Sequence, residues 1–496
     1  MATLHGQHHH KNQASSSSVV VVMVPFAAQS HLNQFLQMAY VVSSHDMPVH
    51  FVSSALHNSQ VKSRASNSTQ QSVKIHFHDL LVPLNRYAKT KASKNQIYFE
   101  ITMSLRQPVA ALLRSLSLTA RRLVIIYDIL MASAVQDVVS LPNAEAYVFN
   151  CASAFSAFAI RCNVLGQNHK IPTKEVPLAK SCSTSFERAV VIYQGIMSYY
   201  KAGVLNNSCR AIEGPFLEQL ANDNNSGKKM WAVGPLHPTT TNFQELRDKH
   251  KCLLEWLDKQ EPKSVLFISF GTTVTFSDEQ VREIALGLEQ SGVKFILVLR
   301  EEDKLYHLSD EQGRKPKLPN AFEDRVKEMG KVVRKWVPQV EILGHPSTGG
   351  FLSHCGWNSC MESITMGVPI ATWPMKWDQP FNAVLITEVL KVGVAVMEWR
   401  QRDEVVTSSR ISEAVRKLMA SEYGDEIRKR VVDMGEAVKQ SIAEGGDSRS
   451  EWDSFFAHIT REGSSVKYHK IRSFVLKLFN SVIEFLVPLL FGLKRF

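Results

Sequence analysis

Short apolar runs alternate with amphipathic stretches along most of the chain, and this alternation predicts an α/β architecture. The run from Val19 to Val24 is rich in β-branched residues, as buried parallel strands are. A loop follows at Pro25 to Ser30. Apolar positions then recur with the spacing of one helical face, at Leu32, Phe35, Leu36 and Ala39. The chain is therefore predicted to begin with a strand, a loop and a helix that opens at His31.

The same alternation continues to about residue 240. Strands are predicted at Val49–Ser53, Val73–His78, Leu123–Tyr127 and Pro142–Phe149, and helices at Pro108–Leu118 and Ala152–Leu165. The region from about Gly166 to Tyr200 gives a poor periodic signal. Cys209 to Pro215 leads into a short helix, and the Thr- and Asn-rich residues after Pro235 have the composition of a linker.

The alternation restarts in the second half of the chain. Strands are predicted at Ser264–Phe270, Lys294–Leu299, Gly350–Ser353 and Val394–Trp399, and helices at Ser277–Gly292, Ser408–Met419, Asp425–Ala443 and Ser448–Ile459. Two strand–helix halves predict an α/β protein with two doubly wound Rossmann-like domains facing a cleft. The predicted boundaries are a disordered tail at 1–18, a first domain at 19–240, a linker at 241–262, a second domain at 263–460 and an extension at 461–496.

Composition narrows the class of protein. A chain of 496 residues with 44% hydrophobic and 21% charged residues is typical of a globular protein with two domains. The net charge of +10 is scattered except near the C-terminus, so we expect no nucleic-acid partner. Seven cysteines without a CxxC pair or metal spacing predict reduced thiols in the cytoplasm. No secretory signal peptide is predicted, because Val19 to Phe26 is too short.

One stretch, Trp336 to Gln379, carries most of the candidate chemistry. Within it a predicted strand meets a predicted helix at the sequence HCGWNS, residues 354–359. Free backbone N–H groups and the helix dipole favour an anion at such a helix start, a diphosphate above all. An alternative is that Ser359 and Glu362 only form a capping box. Trp336 and Trp357, taken singly, fit core aromatics equally well.

The stretch also has a frame that resembles a known signature. Trp336, Gln339, the HCGWNS sequence, Glu362 and a final Asp378-Gln379 pair fall within 44 residues (379 − 336 + 1). This resembles the signature box of plant secondary-product glycosyltransferases, which use UDP-sugars. The resemblance covers about Val19 to Thr460. It implies the GT-B fold, with the donor on the C-terminal domain and the acceptor mainly on the N-terminal one.

The resemblance implies roles for residues that would bind the nucleoside and the sugar. Trp336 would stack on uracil, Gln339 would lie near the ribose and base, and Glu362 would accept hydrogen bonds from the ribose hydroxyls. The sugar would be faced by three residues, Trp357, Asp378 and Gln379. In this family a final Gln tends to accompany glucose, so Gln379 favours UDP-glucose as the donor.

The diphosphate would be held at the HCGWNS turn. The resemblance implies that His354, Asn358 and Ser359 supply side-chain donors there, around Gly356. Thr272, in a Gly/Thr-rich turn after the strand Ser264–Phe270, could donate from a second loop, and a simple strand-to-helix turn is an equally good interpretation. No Asp-x-Asp pair occurs in the chain, so we expect no metal requirement and no cofactor beyond the donor substrate.

His31 and Asp128 are the candidate catalytic pair. Pro25 to Asn33 resembles the N-terminal motif of the same family, whose His is the catalytic base. Asp128 follows a predicted strand and either caps the next helix or pairs with His31 across neighbouring strand ends. The positive end of the helix is expected to oppose protonation of His31. Family members commonly have Gly where Ser30 stands, and a positive φ there would strain the loop.

Together these features predict an inverting UDP-glucose-dependent O-glucosyltransferase. Further stretches, including 131–139, Cys209–Pro215 and Cys360–Gly367, resemble zeatin O-glucosyltransferases, which implies a cytokinin side-chain hydroxyl as the acceptor. Relatives with similar boxes take phenolic or flavonoid acceptors. A second alternative is a catalytically weakened UDP-sugar-binding regulatory protein. A nicotinamide dehydrogenase ranks far behind, because no G-x-G-x-x-G follows a predicted strand.

The C-terminal extension has three interpretations. Phe474 to Leu493 is largely apolar but contains Lys477, Asn480 and Glu484. It is about long enough to span a bilayer, yet its polar positions fit better with an amphipathic helix on a membrane surface, which would give weak membrane association. The third interpretation is an extension of no functional weight.

Overall fold

A computed structural model describes residues 18–64, 74–82, 94–165, 173, 176–222, 228–236, 248–271, 276–299 and 317–462. The strands are β1 Val19–Val24, β2 Val49–Ser54, β3 Ile75–Leu80, β4 Arg122–Asp128, β5 Ala144–Asn150, β6 Gly203–Asn206, β7 Lys229–Ala232, β8 Val265–Ser269, β9 Lys294–Val298, β10 Gly330–Val333, β11 Thr348–Ser353, β12 Ile370–Thr372 and β13 Gly393–Ala395.

The helices lie between these strands and after the last of them. They are α1 Gln29–Ser43, α2 Ala55–Arg64, α3 Lys94–Ser104, α4 Arg106–Ser117, α5 Ala132–Val135, α6 Ala154–Leu165, α7 Ala179–Cys182, α8 Ser185–Met197, α9 Arg210–Asn222, α10 Lys251–Asp258, α11 Asp278–Ser291, α12 Phe322–Arg325, α13 Gln339–Leu343, α14 Trp357–Thr365, α15 Gln379–Val384, α16 Ser408–Met419, α17 Glu422–Ile442 and α18 Asp447–Thr460.

Two parallel sheets form the framework. The first has the strand order β3-β2-β1-β4-β5-β6-β7, and the second has the order β10-β9-β8-β11-β12-β13. In each sheet the strand order reverses once, between β1 and β4 and between β8 and β11. Ligands of open α/β sheets bind at the carboxyl ends of the strands beside such a reversal. The prediction of two doubly wound domains is confirmed.

The buried strands explain why the sequence pattern was readable. Every residue of β1 and of β4 is buried, because helices cover both faces of the sheet. The unpredicted strands β6, β7, β10 and β12 have only three or four residues each, too few for a periodic signal. The region from 176 to 200, which had no clear periodicity, contains α7 and α8.

The last helix packs on the first domain, although the sequence-based boundaries assigned it to the second. Trp452, Phe455 and Ile459 of α18 are buried in one cluster with Met23 and Tyr147 of the first sheet. The Trp452 indole N–H donates to the Val233 carbonyl at 3.0 Å. Amphipathic periodicity shows that a helix has a buried face, but not which sheet will cover it.

Several sequence-based predictions lie outside the described residues. These include most of the N-terminal tail, Thr272, and the apolar stretch Phe474 to Leu493. Among the residues that the structure describes, no helix is both long and apolar enough to cross a bilayer.

Candidate active site

The candidate catalytic pair lies where β1 and β4 end. These strands are neighbours, with Val24 aligned on Tyr127. His31 is the third residue of α1, and Asp128 is the last residue of β4. The His31 Nδ1 atom lies 2.6 Å from Asp128 Oδ2. The contact predicted across neighbouring strand ends is therefore present, and the catalytic roles of the two residues stay a prediction.

Asp128 combines both of the functions that the sequence left open. Its side chain is 1% exposed, and its Oδ1 atom accepts the backbone N–H of Leu130 at 2.9 Å, which caps a short 3₁₀ helix at Ile129–Met131. Its Oδ2 atom accepts from His31 and also from the thiol of Cys151 at 3.4 Å. A carboxylate fixed by donors on both oxygens holds the imidazole in one orientation.

The pKa of His31 is shifted in the direction opposite to the sequence-based expectation. Burial lowers the pKa of His31, but the charge and hydrogen bond of Asp128, with the charge of Asp378, raise it more, so that the pKa lies above the ordinary value of 6.5. The sequence-based expectation considered only the helix start, whereas burial and the two carboxylates set the direction of this shift. Among the groups that raise this pKa, the contacting carboxylate of Asp128 contributes most.

The concern about Ser30 is also removed. Ser30 is the second residue of α1 and does not belong to the non-glycine residues with positive φ. Its backbone carbonyl accepts a hydrogen bond from the Asn358 side chain at 3.1 Å. Serine therefore fits this position without backbone strain.

The turn between β11 and α14 has the shape of an anion site. Cys355 has a φ of 62°, and Gly356 is the residue before the first helical turn. A Cβ atom on Gly356 would lie 2.6 Å from the His354 Nε2 atom, so this position requires glycine. Since the helix already begins at Trp357, Ser359 is inside the first turn and does not cap it. The capping-box alternative for Ser359 was wrong.

His354 is a neutral side chain in this turn. The pKa of His354 is lowered to about 4, mainly by burial, and the backbone hydrogen bond at Ser269 offsets only part of this shift. Its Nδ1 atom is buried and lacks a hydrogen-bond partner among the described residues. A neutral imidazole has a single N–H, which can serve either the backbone at Ser269 or an anion, and it brings no net positive charge. Gly271, which follows β8, has a φ of 76° and closely approaches the His354 ring.

A polar cluster joins three of the predicted donor-binding residues. The Gln339 side-chain amide donates to Ser359 Oγ at 3.0 Å and to Glu362 Oε2 at 2.6 Å. Burial raises the pKa of Glu362 to about 7, and the bond from Gln339 opposes that shift. Trp336 precedes α13, and 51% of its surface is exposed. A half-exposed indole suits stacking on a base, and a carboxylate held by Gln339 suits binding a diol.

The residues predicted to face a sugar have partners inside the protein. Asp378 precedes α15, and its Oδ2 atom accepts from Asn382 at 2.9 Å. Burial raises the pKa of Asp378, while Asn382 and His31 lower it. The buried Gln379 accepts the backbone N–H groups of Met375 and Lys376 through its Oε1 atom. Gln379 therefore shapes the loop that carries Asp378.

Trp357 is buried at a contact between the two domains. Its side chain is 3% exposed, and its indole N–H donates to the Asn207 carbonyl at 2.7 Å. The predicted contact with the sugar therefore cannot use the indole N–H, which joins the second domain to the first.

Other contacts across the domains were not foreseen. The Gln34 side-chain amide, one turn after His31, donates to Asn358 Oδ1, and Ser153 Oγ donates to Asn382 Oδ1 at 2.6 Å. In the sequence, only the three-residue spacing from His31, which places both side chains on one helical face, indicated that Gln34 would lie near the site. As a result, the start of α14 lies directly against the helix that carries His31.

Comparison with known proteins agrees with this architecture. Residues 17–238 match the family model described as "Glycosyltransferase, N-terminal domain", and residues 240–431 match "UDP-glucoronosyl and UDP-glucosyl transferase". The chain is 45% identical over 451 residues to a zeatin O-glucosyltransferase of Phaseolus lunatus, covering 88% of this chain and 96% of the relative. It is 44% identical over 452 residues to a zeatin O-xylosyltransferase of Phaseolus vulgaris, covering 88% and 97%.

A solved structure supports the fold. A UGT transferase of Siraitia grosvenorii in complex with UDP superimposes with a TM-score of 0.74 at 29% identity, covering 90% of this chain and 100% of the other.

Proposed function

The chain belongs to the UDP-glycosyltransferase family and has its GT-B fold, and from this premise we propose that it transfers glucose from UDP-glucose to the side-chain hydroxyl of a zeatin-type cytokinin, with inversion at the anomeric carbon. The observation that carries the proposal is the His31–Asp128 pair, which lies against the start of α14. The acceptor class comes from the zeatin-specific relatives. Those relatives use two different sugars, and Gln379 favours glucose.

The proposed reaction is a single displacement. The Nε2 atom of His31 accepts the proton of the acceptor hydroxyl, while Asp128 holds the Nδ1 proton and stabilises the imidazolium that forms. The acceptor oxygen attacks the anomeric carbon from the side opposite UDP, and the bond to the diphosphate breaks. The N–H groups at the start of α14, with Asn358 and neutral His354, take up the charge on the leaving diphosphate.

The donor is proposed to lie along the second domain. Trp336 would stack on the uracil, and Glu362 and Gln339 would bind the ribose. Asp378 is the proposed sugar contact, because it lies close enough to His31 to shift its pKa.

The proposed transfer needs no metal, so excess EDTA should leave the rate unchanged. The seven cysteines, all of them within the described ranges, form no disulfide, and we propose a reducing compartment, the cytoplasm, as the location.

The acceptor assignment is tested directly by product analysis. Purified protein is incubated with UDP-glucose and, separately, trans-zeatin, cis-zeatin or a flavonol, and products are identified by mass. A zeatin O-glucoside is expected, with less product from UDP-xylose. A flavonol glucoside without any zeatin product would replace the cytokinin by a phenolic acceptor. UDP binding without any product would instead favour the weakened UDP-sugar-binding alternative.

The pH dependence of the rate should report the His31–Asp128 contact. The base is active only when neutral, so kcat/KM should rise with pH through a pKa above 6.5. Asp128→Asn removes the charge that raises this pKa, and burial then dominates. The acidic limb should therefore move to lower pH in Asp128→Asn, while the maximal rate falls. An acidic limb that stays in place in this variant would contradict the assignment.

A further inference from the structure

The candidate catalytic pair, His31 and Asp128, forms a cluster with Cys151, a residue that has no role in the proposed transfer. The potential ligand atoms of His31, Asp128 and Cys151 all lie within 4.8 Å of one another. Asp128 ends β4, Cys151 directly follows the neighbouring β5, and His31 lies in α1, the helix that follows the adjacent strand β1. Within the described ranges, no other group of three His, Cys, Asp or Glu side chains meets this criterion.

We propose that these three side chains form an inhibitory site for Zn²⁺. An imidazole nitrogen, a carboxylate oxygen and a thiolate sulfur are the ligand types that Zn²⁺ prefers. Zinc–ligand bonds of roughly 2.0–2.3 Å in a tetrahedron keep the ligand atoms about 3.3–3.8 Å apart. The Cys151 sulfur is already 3.4 Å from Asp128 Oδ2, and the His31 nitrogen, at 2.6 Å, must move less than about 1 Å.

The surroundings hold two of these ligands in place. The Leu130 N–H fixes the second oxygen of Asp128 at 2.9 Å, and the Gln34 side chain donates to the Cys151 carbonyl at 3.1 Å. Such outer contacts orient metal ligands. The His31 side chain is 25% exposed, which leaves an approach from solvent and room for a fourth ligand such as water. In the ion-free state, Cys151 acts as a small buried residue with a weak S–H donor.

Zinc binding would block the base by exchanging protons. The ion takes the Nδ1 lone pair of His31, so the imidazole proton is carried by Nε2 instead. The Cys151 thiol releases its proton to solvent and binds as thiolate, and Asp128 binds through Oδ2. An Nε2 atom that carries a proton cannot accept one from the acceptor hydroxyl. This inhibitory step rests on the proposed role of His31, whereas the metal site itself does not.

Cobalt(II) tests the site without any measurement of activity. Co²⁺ replaces Zn²⁺ at such sites and gives a sulfur-to-cobalt charge-transfer band when a thiolate is bound. The band is expected in the full-length protein and in Cys252→Ser, which removes the exposed cysteine as a control. It should be absent in Cys151→Ser, whose hydroxyl can still donate to Asp128, and weaker in Asp128→Asn. Co²⁺ that is bound by histidines alone has no sulfur ligand and would not give the band.

Two spectroscopic outcomes would overturn the site. One is the absence of the band in the full-length protein, and the other is a band that persists in Cys151→Ser but disappears in Cys252→Ser. Zn²⁺ should displace Co²⁺ and abolish the band, while Mg²⁺ should not.

The inhibitory step is tested by transfer rates. Zn²⁺ at concentrations that abolish the cobalt band should lower turnover by more than about tenfold, and EDTA should restore it. Loss of a hydrogen-bond partner of a metal ligand commonly weakens metal binding about tenfold or more, and loss of the ligand itself should weaken it further. The Zn²⁺ concentration that halves the rate of Cys151→Ser should therefore be over about tenfold higher than for the unaltered protein. Each rate is expressed relative to the rate of the same protein without metal. Displacement of the band without loss of turnover would overturn the inhibition. If the metal-free protein transfers no sugar, the proposed function is contradicted. The cobalt spectra would still decide whether the metal site exists.

Discussion

His31→Ala is expected to lose about 10²–10⁴ of turnover with the cytokinin acceptor, since this is the usual contribution of a positioned general base. The Nε2 atom of His31 is the proposed proton acceptor, and the hydrogen bond from Nδ1 to the buried Asp128 holds the ring in that orientation. Removing the imidazole leaves the start of α14 and its donor-binding side chains in place. The loss should therefore fall on kcat, and UDP should still bind to the variant in a calorimetric titration.

A histidine on the same sheet serves as the matched control. His76 lies on the edge strand β3 and is exposed, so His76→Ala should retain the turnover of the unaltered protein. A His31→Ala protein that keeps most of its turnover would exclude His31 as the base. Loss of UDP binding in the same variant would show that the change disturbed the domain contact made through Ser30 and Gln34 instead.

Phe455→Ala is expected to destabilise the protein by about 3–5 kcal/mol, as truncation of a fully buried aromatic ring commonly does. The Phe455 side chain has no exposed surface, and its ring contacts those of Tyr147 and Trp231 at centroid distances of 5.4 and 5.2 Å. Alanine would leave a cavity between α18 and the first sheet. For a domain of about 200 residues, each kcal/mol lowers the unfolding midpoint by roughly 2–4 °C.

Thermal unfolding at a fixed scan rate measures this effect. Leu118→Ala is the control, because the Leu118 side chain is 86% exposed and its truncation should change the midpoint little. An unchanged midpoint for Phe455→Ala would mean that α18 does not pack on the first sheet in solution.

The sequence was most informative where burial and chemistry coincide. The run Val19–Val24 is buried on both faces, so its composition alone identified β1. An acid at the end of a second such run made a contact between Asp128 and His31 one of two interpretations, and the structure shows that contact. The signature frame placed Gln339 and Glu362 in the same predicted nucleoside site, and the structure shows a hydrogen bond between them.

The features of the site that the sequence did not predict depend on contacts between segments that are distant in the chain. The net charge preference of His31 arises from competition between burial and two carboxylates, which no local pattern encodes. Cys151 joins His31 and Asp128 only because β5 pairs with β4. The partner of the Trp357 indole, the Asn207 carbonyl, lies in the other domain and carries no sequence signal at all.

The return of α18 to the first domain affects how this chain can be made and divided. During synthesis β1 leaves the ribosome first, whereas the helix that completes its hydrophobic core is translated after the whole second domain. A nascent or separately expressed first half would therefore present a bare apolar surface to chaperones or to other chains. Chimeras that exchange acceptor domains between relatives should accordingly carry residues 447–460 with the N-terminal half, so that each core keeps its own last helix.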